Sequence, residues 1–249
     1  MEYTLIEGAT SVEAVLKAES RITEKILIDK DMSERKKFSL YPLLRRAERM
    51  CVNVEYVARE EIDSLSSGKT HGGVIAYVGE RKYKDETELY EKKNGYFVML
   101  DGVEDPFNFG QALRAIYASG ADGIILPERN WMTASAVVAR SSAGASEYID
   151  AYICEDTEKT AEMLSEKGYR IVCTDHTDKA VSMTKANLKR PLLLIIGGEK
   201  RGISAKLKSL SDTMVKIDYG RDFNASLGAA EASAILAFEV LRQNTEDAK

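Results

Sequence analysis

The chain has 249 residues, 44% of them hydrophobic and 30% charged, the balance of a globular protein with one large core or a large and a small one. No segment reaches the roughly 20 apolar residues of a membrane span, and the polar start Met1-Glu-Tyr-Thr lacks the basic and apolar regions of a signal peptide, so a cytoplasmic location is expected. A net charge of −5 argues against a protein that coats nucleic acid through many cationic contacts, while leaving room for a local basic patch.

In chain order, residues 11–18 are predicted to be helical, with Val12, Val15 and Leu16 at the spacing of one apolar face. A strand at 25–28, a helix at 40–50 and strands at 53–57 and 73–78 complete a small α/β unit over residues 1–80. Within it Arg35-Lys36-Lys37 and Arg45-Arg46-x-x-Arg49 concentrate positive charge, which a solvated helix face and an RNA contact explain equally well. Beyond residue 79 the chain turns highly charged and loses its apolar runs, the mark of a partly helical linker, placed at 81–94.

Residues 95–249 alternate apolar strands (96–100, 123–126, 149–154, 170–174, 192–196 and 214–218) with helical patterns. That alternation predicts a mostly parallel sheet with helices on both faces. Residues 226–242 should form a last helix, apolar nearly all the way round and therefore covered on more than one side. Cys51, Cys154 and Cys173 are odd in number and lie in or beside apolar segments, so buried free thiols are expected. His71 and His176 cannot complete a zinc site with them at any recognised spacing, and no metal is expected.

Chemistry concentrates in two runs. In Leu100-Asp-Gly-Val-Glu-Asp-Pro-Phe-Asn-Phe-Gly-Gln-Ala-Leu-Arg114 a strand is followed by a turn at Asp105-Pro106 and a helix over 109–119, which places Asn108 and Arg114 near the strand's carboxyl end. Open α/β sheets bind ligands there, and a permanently charged planar fork suits a phosphate or ribose-phosphate. An ordinary helix start, capped by Asn108 and with Arg114 in solvent, would use the same residues. In Leu192-Leu-Leu-Ile-Ile-Gly-Gly-Glu-Lys-Arg-Gly-Ile-Ser204 a strand apolar at every position leads into a G-x-E-x-x-G turn. A dinucleotide reading, with Asp218 as the ribose-binding acid, fails on charge: Glu199 stands where a pyrophosphate needs the middle glycine. A ligand that has no phosphate and carries a positive charge is one that a glycine turn with one carboxylate can admit.

Both runs, with Gly120-Ala-Asp-Gly-Ile-Ile-Leu126 and Arg140-Ser-Ser-Ala-Gly-Ala-Ser146, resemble the signatures of the SpoU/TrmH-type RNA 2′-O-ribose methyltransferases of the SPOUT superfamily. His71-Gly-Gly-Val-Ile-Ala76 and Ile6-Glu-Gly-Ala-Thr-Ser-Val12 look like the RNA substrate-binding domain that precedes the catalytic one in that family. The resemblance implies a C-terminal trefoil knot, S-adenosylmethionine as cofactor, an rRNA or tRNA substrate and a homodimer through the C-terminal domain. It assigns Asn108, Arg114 and Glu199 to catalysis, and Thr174, Gly197, Gly198, Ile217, Ser226 and Leu227 to the cofactor. Because a guanidinium stays protonated, Arg114 is given the RNA phosphate and the polarisation of the ribose hydroxyl; Asn108 positions it and Glu199 orders the site.

The third signature is altered. The family pattern has Ile-Pro-Met on a strand and Ser-Leu-Asn-x-Ser opening the last helix; an ungapped match keeps Ser226 and Leu227 but puts Gly228 and Ala230 at the two polar positions. A shifted match takes Asn224 and Ser226 as the polar pair, which adds Asn224 to the catalytic set. Both matches stay open at this point. So do two other functions, a weakly active or inactive RNA-binding homologue and a methyltransferase acting on an RNA base.

Overall fold

The computed structural model describes residues 3–67, 70–127, 135–177, 179–198 and 201–245. Contacts divide the chain into two compact units, residues 1–82 with 130–148 and residues 83–129 with 149–249.

The first unit begins with β1 (Thr4–Glu7), α1 (Ala9–Ala18), β2 (Thr23–Asp29), α2 (Glu34–Ser39), α3 (Tyr41–Arg49), β3 (Asn53–Val57), α4 (Arg59–Leu65) and β4 (Val74–Val78). Its sheet has the order β1-β4-β2-β3. α1 buries Val12, Val15 and Leu16, the face that periodicity predicts. The helix expected over 40–50 is α3, and a short helix that the sequence reading lacks, α2, precedes it and meets it at Leu40. Pro42 sits in the first turn of α3, where its missing N–H is harmless, whereas a continuous helix would place its ring against the carbonyl of Phe38. Cys51 also departs from expectation: it follows α3 in a left-handed turn at φ 54, and its side chain is exposed.

The second unit opens with α5 (Glu86–Glu91), started by Asp85, whose side chain accepts from the Thr87 N–H at 2.9 Å. Its Leu89 is fully buried, so the charged stretch contributes one anchor to the core. β5 (Tyr96–Asp101), α6 (Pro106–Ala118) and β6 (Gly123–Pro127) follow. The chain then returns to the first unit for α7 (Ser135–Ser141) and α8 (Ala145–Tyr148). There Ala139 joins the apolar core of Ile6, Val15 and Ile26, and Glu147 pairs with Arg21 in a buried two-pronged ion pair of 3.0 and 3.1 Å. Back in the second unit come β7 (Ala151–Cys154), α9 (Thr157–Glu166), β8 (Arg170–Thr174), β9 (Val181–Ser182), β10 (Leu192–Gly197), α10 (Ala205–Ser209), β11 (Thr213–Lys216) and α11 (Ala229–Thr245).

The sheet of the second unit is parallel throughout, in the order β7-β6-β5-β10-β8-β11-β9. Phe97 and Met99 of β5 and Leu193 and Ile195 of β10 pack on one face with Ala161, Leu164 and Leu207 from α9 and α10. α6 and α11 pack against each other, and α11 also contacts β10. Covering of both faces is why β5 and β10 are apolar at successive positions. From β5 the chain runs outward to β6 and β7, while β10, β8 and β11 lie on its other side, so the loops leaving β5 and β10 diverge. Their register, Leu192 opposite Tyr96 through Gly197 opposite Asp101, brings both carboxyl ends to one level. A crevice at that switch point is where an open α/β sheet takes its ligand. No helix among the described residues is long and apolar enough to cross a membrane.

Candidate active site

The crevice is built on backbone contact. A Cβ added to Gly198 would stand 2.1 Å from the Gly102 carbonyl oxygen and 2.4 Å from its carbon, and one on Gly197 would stand 2.9 Å from Gly202. Only glycine lets the loop after β10 lie against the loop after β5. The Gly198 N–H donates to the Asp101 carbonyl at 2.6 Å, and the Gly202 N–H to the Gly198 carbonyl at 2.9 Å. The Asp101 carboxylate accepts from the Ser204 N–H at 2.8 Å, so one residue pins both ends of the turn. Gly197 donates its N–H to Thr174 Oγ1 at 3.2 Å, which joins the ends of β8 and β10.

These constraints frame a cleft of about 160 Å³ at the carboxyl ends of β8, β10 and β11. Thr174, Gly197, Gly198, Ile217, Ser226 and Leu227 all line it. Ile196, Val215 and Leu236 add apolar wall. The Tyr219 hydroxyl accepts from the Leu227 N–H at 3.0 Å and so holds the segment leading into α11 against the cleft. That segment is not yet helix: α11 starts at Ala229, three residues later than its apolar pattern predicts, and leaves Ser226 and Leu227 on the approach. Polar character comes from Asp175 and Lys208, whose charged atoms are 3.5 Å apart. Burial pushes the Asp175 carboxyl up, but the His176 N–H at 2.7 Å and the Lys208 ammonium outweigh it and hold it below the usual carboxylate range. Beneath them burial pushes the Cys173 thiol up to about 12, which rules it out as a nucleophile at neutral pH.

Two further hollows adjoin the cleft. One of about 90 Å³ is lined by Gly102, Val103, Glu104, Asp105 and Asn108, and shares Gly198 and Ala229 with the cleft. Asn108 is not in a loop, as the sequence suggested, but in the first turn of α6. Asp105 is the cap, accepting from the Asn108 N–H at 2.8 Å, and Pro106 takes the first helical position that suits it. The other, of about 500 Å³, is lined by Lys216, Asp218, Phe223 and Asn224, and shares His176, Ile217, Tyr219 and Ser226 with the cleft. Asn224 is exposed there, while Ala230, at a polar position of the ungapped match, is buried. Asp218 accepts a hydrogen bond from the Ser182 hydroxyl.

Arg114 borders none of these hollows. It is exposed on α6, six residues and so about 120° around the helix from Asn108, and makes no hydrogen bond or ion pair among the described residues. Glu199 lies outside the described residues. Asp101, Asp175 and Tyr219 were not singled out as site residues from the sequence, since isolated polar residues at strand ends carry no spacing signal.

An apolar slot with free backbone groups, an ionised carboxylate and its single lysine already paired fits a flat heterocycle with a cationic tail better than a pyrophosphate. Comparison with known proteins agrees. The profile of the SpoU rRNA methylase family matches residues 95–238, and that of the RNA 2′-O ribose methyltransferase substrate-binding domain matches residues 5–84. The 23S rRNA (guanosine-2′-O-)-methyltransferase RlmB of Shewanella oneidensis is 33% identical over 244 residues, covering 96% of this chain and 97% of that protein. Among solved structures, the AdoMet-bound rRNA methyltransferase from Sinorhizobium meliloti superposes with a TM-score of 0.79 at 22% identity, covering 96% of this chain and 87% of that one. The SpoU methyltransferase AviRb from Streptomyces viridochromogenes gives 0.76 at 21% identity, covering 98% and 91%. With the knotted α/β fold of these enzymes and a family match across most of its second unit, the chain belongs to the SpoU family of S-adenosylmethionine-dependent RNA methyltransferases.

Proposed function

We propose that the protein transfers a methyl group from S-adenosylmethionine to a ribose 2′-OH of rRNA or tRNA in the cytoplasm, with residues 1–80 binding RNA, 81–94 linking and 95–249 carrying the donor. The observation that carries this reading is the cleft itself, where the six residues that the family resemblance assigns to the cofactor meet around an apolar slot that adjoins the hollow of Asn108. Bound S-adenosylmethionine supplies a methyl group already activated on a sulfonium, so the protein has mainly to align and desolvate. Thr174, Gly197 and Gly198 offer backbone and hydroxyl partners; Ile217 and Leu227 exclude water; Ser226 lies at the mouth shared with Asn224. Asp175, kept ionised, favours a positive ligand. Asn108 and Asn224, on hollows that flank the cleft, are assigned to the ribose, Glu199 to ordering the turn, and Arg114 to the RNA phosphate and the charge developing on the 2′-oxygen.

Arg114 faces away from the Asn108 hollow of its own chain, which supports a homodimer in which a second copy helps complete the site. α11 supports it too. Its Ser233, Leu236, Ala237 and Val240 face is buried, while Ile235 is only partly covered and Phe238 is 48% exposed. Phe107 on α6 is exposed as well. An uncovered apolar strip of this kind suits an interface.

The missing polar side chains at Gly228 and Ala230 favour one second reading, an RNA-binding homologue with little turnover. Incubating the full chain with radiolabelled S-adenosylmethionine and separated rRNA and tRNA fractions distinguishes the two. Transfer of label to RNA supports the enzyme; retention of RNA without transfer in any fraction supports the binder.

A further inference from the structure

The first unit carries a group of features that the methyl-donor cleft does not use. α2 buries none of its residues, and its Phe38 is 83% exposed, with Tyr41 at the start of α3 61% exposed. Aromatic rings held that far into water add nothing to a core. Their surroundings are cationic. Arg35 and Lys36 precede Phe38, and Tyr41, Arg45 and Arg49 recur every four residues along the face of α3 opposite its buried Leu43 and Ala47. Arg45 is tied to Glu48 at 3.0 Å, whereas Arg35, Lys36 and Arg49 make no ion pair among the described residues.

The same tract borders a cavity of about 320 Å³. Lys36 and Ser39 line it together with Thr10, Thr70 and Arg140. Arg140 is held in place by its Nη1, which donates to Glu7 at 3.0 Å and to Thr70 at 3.1 Å, while its Nε and Nη2 have no partner among the described residues. Glu7 lines the hollow too, but its carboxylate is taken up by Arg140 and by the Ser67 N–H and hydroxyl, so Lys36, the outer edge of Arg140 and the hydroxyls are left to meet a phosphate. Phe38, 83% exposed and two residues along α2 from Lys36, lies outside the lining of the hollow and offers its ring to an unstacked base.

We infer that α2, the start of α3 and this cavity form a clamp for an unpaired segment of the RNA substrate, with Phe38 stacking on a base and Lys36 and Arg140 meeting a neighbouring phosphate. The inference rests on the reading that RNA is the substrate and goes further, to a single-stranded or looped region. In an A-form duplex the bases are stacked inside and their faces cannot reach an aromatic side chain.

The test is fluorescence anisotropy of the full chain with a labelled single-stranded oligouridine and with a duplex RNA of the same length. The single strand should bind more tightly than the duplex. Phe38→Ala should weaken single-strand binding about tenfold, Phe38→Trp should retain it, and Lys36→Ala should lower both affinity and its salt dependence, by roughly one strand contact. Because α2 buries nothing, these variants should melt like the wild type. Unchanged binding by Phe38→Ala, equal binding of duplex, or binding of neither RNA overturns the clamp, the last in favour of a protein partner for this surface. Methylation assays on the same variants separate the two levels. If the wild type methylates RNA and Phe38→Ala keeps its KM, the clamp fails and the enzyme stands; Phe38-dependent strand binding without methyl transfer leaves the clamp and removes the activity.

Discussion

Gly198→Ala should cripple the cofactor cleft through the backbone alone. The new methyl group would meet three atoms of the loop after β5: the Gly102 oxygen at 2.1 Å, its carbon at 2.4 Å and the Val103 nitrogen at 2.9 Å. None is the end of a flexible side chain, so the loops must separate by at least about 1 Å to restore ordinary contact. Separation strains or breaks the 2.6 Å bond from the Gly198 N–H to the Asp101 carbonyl and displaces the turn that Asp101 holds at Ser204. Overpacking of this kind costs about 3 kcal/mol, or roughly a hundredfold in cofactor affinity if it falls on the bound state. Calorimetric titration with S-adenosylmethionine and thermal melting measure the two ways it can appear. Gly79→Ala is the control, since the nearest atom to its added methyl is 3.7 Å away. Wild-type affinity and melting temperature in Gly198→Ala would refute the argument that backbone contact dictates this glycine.

Calorimetry on the wild type should show binding of S-adenosylmethionine and none of NAD; the reverse would sink the fit argued from the cleft. Arg114→Ala and Asn224→Ala should each lower methyl transfer at least about tenfold, roughly 1.4 kcal/mol of transition-state stabilisation, with cofactor affinity nearly unchanged; full turnover in the Asn224 variant would favour the ungapped match with Gly228. Glu147→Ala leaves the Arg21 guanidinium buried without its partner and should cost about 3–5 kcal/mol in denaturant unfolding, whereas a loss below about 1 kcal/mol would mean that solvent reaches the pair. Burial pushes the Glu147 carboxyl up, yet Arg21 outweighs it and holds the group below its usual value. The pair's stabilisation is therefore fully present above the ordinary glutamate range and is lost as pH falls through the lowered folded value; acid titration of Glu147→Gln should lack that loss. Light scattering should find a dimer that Phe238→Asp dissociates, and a monomeric wild type would remove the interface on α11.

Several parts of this architecture were legible in residue order because the physics behind them is local. β5 and β10 stand out since burial on both faces demands apolar residues at successive positions, and the Gly197-Gly198 pair stands out since two backbones in contact tolerate no Cβ. Thr174, Ile217 and Leu227 were reached through the family resemblance, and they line the same cleft. Distance in sequence hides the rest. Nothing near Glu147 announces that its partner is Arg21, 126 residues earlier, or that α7 and α8 pack into the first unit. β1 is too short to show a period, and α4 buries only Ile62, so neither rises above its surroundings. The break between α2 and α3 was within reach, because Pro42 marks it. Asp101 gains its role from the Ser204 N–H across the crevice and Asp175 from the Lys208 ammonium 33 residues on, pairings that no spacing rule records.

The central claim is methyl transfer to a ribose oxygen, and the position of the label tests it most directly. RNA methylated by the full chain with radiolabelled S-adenosylmethionine can be hydrolysed in alkali, which cleaves after every nucleotide whose 2′-OH is free. The account predicts that the label emerges in an alkali-resistant dinucleotide from one site. Label recovered on a base in ordinary mononucleotides, or no transfer to any RNA fraction, would contradict it.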